Sequence, residues 1–243
     1  MAALSLAPQP VPGQQAGAQE GVLQARFYPY DYNGGTVLAI AGADFAIVAG
    51  DTRMSTGFSI KSRTVSKIFE IVPGTTLGTG GFRGDITTLQ KLLRAKVTQY
   101  AHRHREEMKP HAVAQMLANT LYGKRFFPYY TWNVVAGLDE NGVGVVYSYD
   151  PVGNYERVRV SVTGSGESLI QPLLDNQLER QHQALGAKPP VLSTDLTIEQ
   201  TIELVKDAFV SASERDIRTG DCVEICIITK EGSRMESFPL NID

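Results

Sequence analysis

Apolar runs with strand period and apolar runs with helical period occupy separate blocks of this 243-residue chain. That separation narrows the architecture more than any other feature. A parallel doubly wound sheet alternates strand and helix one by one, whereas strands that come in blocks pair with one another. The first block holds residues 37–41 and 45–49 around Gly42-Ala43-Asp44, then 67–72 and 75–81 around Pro73-Gly74. Each pair reads as a hairpin of buried strands. The period then changes. Ile86, Leu89, Leu93, Val97 and Tyr100 recur on one helical face, with Asp85 as the expected N-cap. A second helix follows Pro110, with Val113, Met116, Leu117, Leu121 and Tyr122 on one face. The charged stretch 102–109 between them reads as a solvated helix end and turn.

The second block repeats the pattern. Residues 131–138 and 143–149 flank the hairpin signal Asp139-Glu140-Asn141-Gly142, and 155–162 is a third strand of the group. Residues 169–178 are predicted helical, with Pro172 tolerable only near the first turn. The polar stretch 179–196, which contains Pro189-Pro190, reads as an exposed loop. Thr197 and Gln200 form a capping box ahead of a helix face made by Ile202, Val205, Phe209 and Ala212. Residues 223–229 and 234–240 close the chain as strands. The order predicts an α+β fold: two antiparallel sheets packed face to face, each covered outside by a pair of helices.

Composition excludes several functions. A net charge of −3, with no basic run, gives no reason to expect nucleic acid or a membrane surface as partner. Cys222 and Cys226 are too few for a disulfide framework or a four-cysteine zinc site, and read as small buried hydrophobes of a reducing compartment. His102 and His104 sit on a charged helix end and read as solvated, so no metal or cofactor is expected. Residues 1–25 are rich in Ala, Pro, Gln and Gly and lack periodicity, which reads as a disordered leader. Residues 26–243 then form one domain.

Asn33-Gly34-Gly35-Thr36-Val37, Ala49-Gly50-Asp51-Thr52-Arg53, Ser66-Lys67-Ile68 and Gly80-Gly81-Phe82-Arg83-Gly84-Asp85, taken together, resemble segments of the proteasome beta-type subunits. Phe126-Phe127-Pro128-Tyr129-Tyr130, Tyr149-Asp150-Pro151-Val152-Gly153 and Glu214-Arg215-Asp216 are similar to the type-1 group of that family, taken as a non-catalytic member at the sixth position of its ring. The resemblance implies the N-terminal-nucleophile hydrolase fold, a four-layer αββα sandwich. It implies partners: other alpha and beta subunits in a stacked-ring 20S particle that degrades proteins in an ATP- and ubiquitin-linked way, in cytoplasm and nucleus. It also implies trimming of the leader near Ala25 and Arg26.

Active members use a threonine hydroxyl as nucleophile, a lysine, a carboxylate that orients it, and a glycine amide for the oxyanion. Carried onto this chain, those positions are Gly35, Lys67, Asp51 (followed by Arg53) and Gly81, with Asp216 and Thr219 nearby. Because Gly35 has no side chain, the resemblance implies a vestigial site and a chain that is no enzyme, in which Asp51, Arg53 and Lys67 persist as a structural ion cluster. Two alternatives stand beside this. Thr36 becomes the nucleophile of an active threonine-type endopeptidase if the chain is cut after Gly35, although strand alternation turns its hydroxyl away from Asp51 and Lys67. Or the domain stands free, outside any ring.

Overall fold

The computed structural model describes residues 28–179 and 196–240. The leader 1–25 and nearly all of the loop 179–196 lie outside the described residues. The described chain is a four-layer sandwich, as the block order predicts. One sheet runs β10-β1-β2-β11-β12, from Val160–Gly164, Thr36–Ala41, Phe45–Asp51, Cys222–Thr229 and Gly232–Pro239. The other runs β5-β6-β7-β8-β9, from Ile68–Val72, Thr75–Gly81, Thr131–Leu138, Gly144–Tyr149 and Tyr155–Val158. Every pairing in both sheets is antiparallel. A small hairpin, β3 (Met54–Thr56) and β4 (Ser59–Ser62), stands apart from both.

Strand alternation sorts the apolar residues into three layers. On β1, Leu38 and Ile40 point outward to α3 (Glu167–Leu174) and α4 (Ile198–Ser213), joining Ile170, Val205 and Phe209. Val37, Ala39 and Ala41 point inward to Val134, Ala136 and Val146 of the facing sheet. On the far side, Leu77 and Val135 pack against Leu89 and Leu93 of α1 (Arg83–His104) and Leu117 and Leu121 of α2 (Pro110–Tyr122). The layer between the sheets is built mostly from Ala and Val, with Cys226 and Ile228. A Cβ at Gly78 would run into the Val37 side chain.

Three local expectations are corrected. Asp85 does not cap α1: the helix begins earlier, after Phe82, and the Asp85 carboxylate instead accepts the Tyr130 amide at 2.8 Å. The predicted strand 155–162 is two strands in opposite sheets, with only Arg159 between them. Pro172 lies well inside α3, which relaxes into a wider π-type turn at Asp175–Glu179. The Thr197 capping box is present, with the Thr197 hydroxyl accepting the Gln200 amide and the Gln200 side chain accepting the Thr197 amide. Thr197→Ala is expected to cost about 1 kcal/mol of stability, read as a lowered midpoint in thermal or chemical unfolding. No change in the midpoint would show that the cap contributes nothing.

Candidate functional site

The site lies where β1 begins and β2 ends. Asp51 closes β2 and is fully buried. Its Oδ1 accepts the Thr36 amide at 2.7 Å, and its Oδ2 accepts the amides of Arg53 at 3.2 Å and Gly220 at 3.3 Å. Lys67, just before β5, reaches in beside it. Its Nζ lies 3.1 Å from Asp51 Oδ1 and donates to the carbonyls of Asp51 at 2.8 Å and Arg53 at 2.7 Å. Burial pulls the Lys67 ammonium down and pushes the Asp51 carboxyl up, each opposed by the charge of the other.

Arg53 is also buried, but its guanidinium does not join this pair. It is bidentate on Asp221, with Nε–Oδ2 at 3.0 Å and Nη2–Oδ1 at 3.2 Å, and a further bond goes to the Ile217 carbonyl at 3.1 Å. Arg63 also bonds Asp221. Burial favours the neutral form of Asp221, yet the two guanidiniums together hold its carboxyl below the ordinary range. The expected single ion cluster is therefore two, joined through the Arg53 backbone. Asp221 and Arg63 carry no sequence signal of their own; only the folded contacts reveal them.

Gly35 sits against Lys67 as the spacing implies. A Cβ placed there would overlap Lys67 Cε and come within 2.6 Å of Nζ and 3.0 Å of Asp51 Oδ1. Thr36 is fully buried and points the other way, as alternation requires. Its hydroxyl meets a second polar chain. Thr219 donates to Asp216 Oδ2 at 2.7 Å, so its oxygen is left to accept the Thr36 proton at 2.6 Å. The Gly166 amide donates to Thr36 Oγ1 at 2.8 Å.

Gly164, Ser165 and Gly166 form the turn from β10 into α3 and wrap this spot. A Cβ at Gly164 would strike the Gly35 carbonyl oxygen, which accepts the Ser165 amide at 3.0 Å. The Ser165 hydroxyl does not cap α3 and lies 3.4 Å from Thr219 Oγ1. Gly81 has φ +113, and a Cβ there would meet the Tyr130 carbonyl at 2.5 Å, so its geometry alone requires glycine. Asp216 and Thr219 are thus linked to the Thr36 hydroxyl by hydrogen bonds. His102 and His104 are exposed, and no group of metal-capable side chains gathers among the described residues.

A family profile described as "Proteasome subunit" matches residues 32–228. The chain is 48% identical over 223 residues to Proteasome subunit beta type-1-B of Carassius auratus, covering 92% of each. It is 49% identical over 219 residues to Proteasome subunit beta type-1 of Arabidopsis thaliana, covering 90% of this chain and 98% of that one. It is 43% identical over 225 residues to Proteasome subunit beta type-6 of Saccharomyces cerevisiae, covering 91% and 93%. The sandwich is accordingly the N-terminal-nucleophile hydrolase fold that the sequence implies.

The expectation of a non-catalytic member at the sixth ring position, and of a chain that is no enzyme, is corrected on two findings. The relatives join the chain to beta type-1 subunits over nine-tenths of its length, and nothing in that kinship marks it off as silent. The expectation also rests on a missing oxygen at Gly35. One residue further on, the geometry puts a threonine hydroxyl on a hydroxyl–carboxylate chain and its amide on Asp51.

Proposed function

We propose, from the premise that this chain belongs to the proteasome subunit family, that it is a beta-type subunit of a stacked-ring 20S proteolytic particle, beside other alpha and beta subunits. The observation that carries this is the match of residues 32–228, all of the sandwich but its last strand, to that family. The proposal includes a 1–25 leader cut near Ala25 and Arg26, and residence with the particle in cytoplasm and nucleus. Native mass measurement of the tagged chain from cell extract tests it. A very large hetero-oligomer is expected, and a species near the monomer's 26.5 kDa would instead support a free-standing domain.

A second reading is favoured by one specific contact set: Thr36 as nucleophile of a threonine-type endopeptidase. Cutting the Gly35–Thr36 bond would free an amine where the Thr36 amide now meets Asp51 at 2.7 Å. The hydroxyl oxygen would then bond to a substrate carbonyl carbon while its proton passes to Thr219 and Thr219 gives its own to the Asp216 carboxylate. The substrate's carbon–nitrogen bond would then break, the leaving amine taking up the stored proton, and water would release the acyl group from Thr36. Thr36 is fully enclosed while the preceding residues are in place, so this reading requires their release. Sequencing the mature N-terminus and mapping adducts of a hydroxyl-directed peptide electrophile decide it. Thr36 as first residue, carrying the adduct, is expected. A start near Arg26 without adduct removes the peptidase reading and leaves the ring assignment intact.

A further inference from the structure

Two of the seven asparagines, Asn33 and Asn141, stand directly before a glycine. At such a bond the glycine nitrogen can attack the asparagine side-chain amide, because no side chain on the glycine stands in the way. Both glycines take a positive φ, +71 at Gly34 and +79 at Gly142. Local sequence treats the two bonds alike, and the fold does not.

Asn33 is buried, and both ends of its side-chain amide are bonded. Its Oδ1 accepts the Arg83 amide at 2.8 Å and so caps α1. Its Nδ2 donates to the Ser55 carbonyl at 3.2 Å and to the Thr56 hydroxyl at 3.4 Å. Gly34 is covered as well: a Cβ there would stand 2.7 Å from Arg218 Cβ. The Asn33 side chain can turn toward the Gly34 nitrogen only after three bonds break together.

Asn141 lies in the turn between β7 and β8 and is exposed. Its backbone amide donates to Asp139 Oδ1 at 2.9 Å. Its side-chain amide has no hydrogen bond among the described residues. The Gly142 nitrogen is held by one turn bond, to the Asp139 carbonyl at 2.9 Å. A bond at the tip of a solvated hairpin opens at little cost in free energy. A cation lies beside it. A Cβ at Gly142 would overlap Lys230 Cε and come within 2.9 Å of its Nζ. Positive charge so close favours a nitrogen that has given up its proton.

We infer that Asn141 is a site of spontaneous deamidation, with water as co-reactant, and that the fold shields Asn33 from the same reaction. The Gly142 nitrogen loses its proton to solvent and bonds to Asn141 Cγ. The bond from Cγ to Nδ2 breaks, and that nitrogen takes up a proton and leaves as ammonia. A cyclic imide remains. Water then opens it, giving aspartate where the new carbon–nitrogen bond breaks and isoaspartate where the original peptide bond breaks. Either product adds a carboxylate to a turn that already holds Asp139 and Glu140. Isoaspartate also routes the backbone through the side chain and lengthens the turn by one atom. Below the turn there is no room for it: a Cβ at Gly144 would stand 2.1 Å from the Phe45 carbonyl oxygen. The added length is expected to loosen the bond from the Asp139 amide to the Val143 carbonyl, now 2.9 Å. The inference concerns this turn and holds whether or not the chain enters a ring or Thr36 reacts.

Ageing the tagged full-length chain, purified from cells in its native assembly and held at mildly alkaline pH, tests it. Peptide mass mapping follows both asparagines, and enzymatic methylation of the new carboxylate scores isoaspartate. The acid is expected to build up at 141 roughly tenfold faster than at 33, or more. In chain unfolded by denaturant the two sites are expected to convert at similar rates, because the fold no longer separates them. Asn141→Gln, whose longer side chain cyclises far less readily, is expected to suppress the signal at 141. Amide retained at 141 in the native protein, conversion at 33 as fast as at 141, or the same tenfold ratio in denaturant would each overturn the inference.

Discussion

Lys67→Ala is expected to keep most of this chain out of the assembled particle. The substitution removes the cation beside a carboxylate that has no solvent at all. Asp51 would keep three backbone amides but lose its counter-charge, and the carbonyls of Asp51 and Arg53 would lose a donor. Breaking a buried pair from one side costs about 3–5 kcal/mol, set against a whole-domain stability of about 5–15 kcal/mol. The check is the incorporated fraction of tagged variant, with thermal unfolding of whatever folds. Adding Asp51→Asn is expected to recover part of the loss, because no charge is then stranded. Incorporation at parity by Lys67→Ala alone would show that the pair is dispensable.

Gly35→Ala is expected to do nearly as much harm with a single methyl group. Gly35 has φ +85, a conformation that costs an L-residue roughly 1–2 kcal/mol. The new Cβ would also overlap Lys67 Cε. A lysine tip usually swings aside cheaply, but this Nζ is held by three oxygens. Relief therefore means breaking the Asp51 pair, which brings in part of the cost estimated above. The measurement is the same incorporation assay beside Gly57→Ala, whose Cβ would meet nothing within 4 Å although its φ is also positive. If the two variants behave alike, backbone strain alone is at work and the crowding argument fails.

The two-sheet architecture is legible in the sequence because alternation and helical period are local properties. Leu38 and Ile40 declare one face of β1, and Ala39 and Ala41 the other. The site is legible only in part. Gly35, Asp51 and Lys67 meet as the resemblance implies. The hydroxyl chain from Thr36 through Thr219 to Asp216 closes a gap of 183 residues, and nothing in local pattern announces it. Asp221 escapes notice for the same reason, because its partners Arg53 and Arg63 come from the opposite end of the chain. The α1 cap is missed because it comes from Asn33, far outside the helix, while the local candidate Asp85 is occupied by Tyr130. The strand break at Arg159 is hidden because Val158, Val160 and Val162 keep strand spacing across it while joining different layers.

That break sets a rule about length. Arg159 alone carries the chain from one sheet to the other, and its carbonyl receives the Ala41 amide at 2.8 Å. From Val160 the strand counts back along β1, residue for residue, until Gly164 faces Thr36. The turn that embraces Gly35 and Thr36 is therefore metered from the crossing like a notch on a ruler. Most exchanges of one residue for another at 159 leave the gauge intact. Insertion or deletion of a single residue there shifts the notch by one, carrying the Ser165 amide away from its oxygen and turning the following side chains over. Lineages of this chain should accordingly vary in spelling at the crossing and never in its residue count.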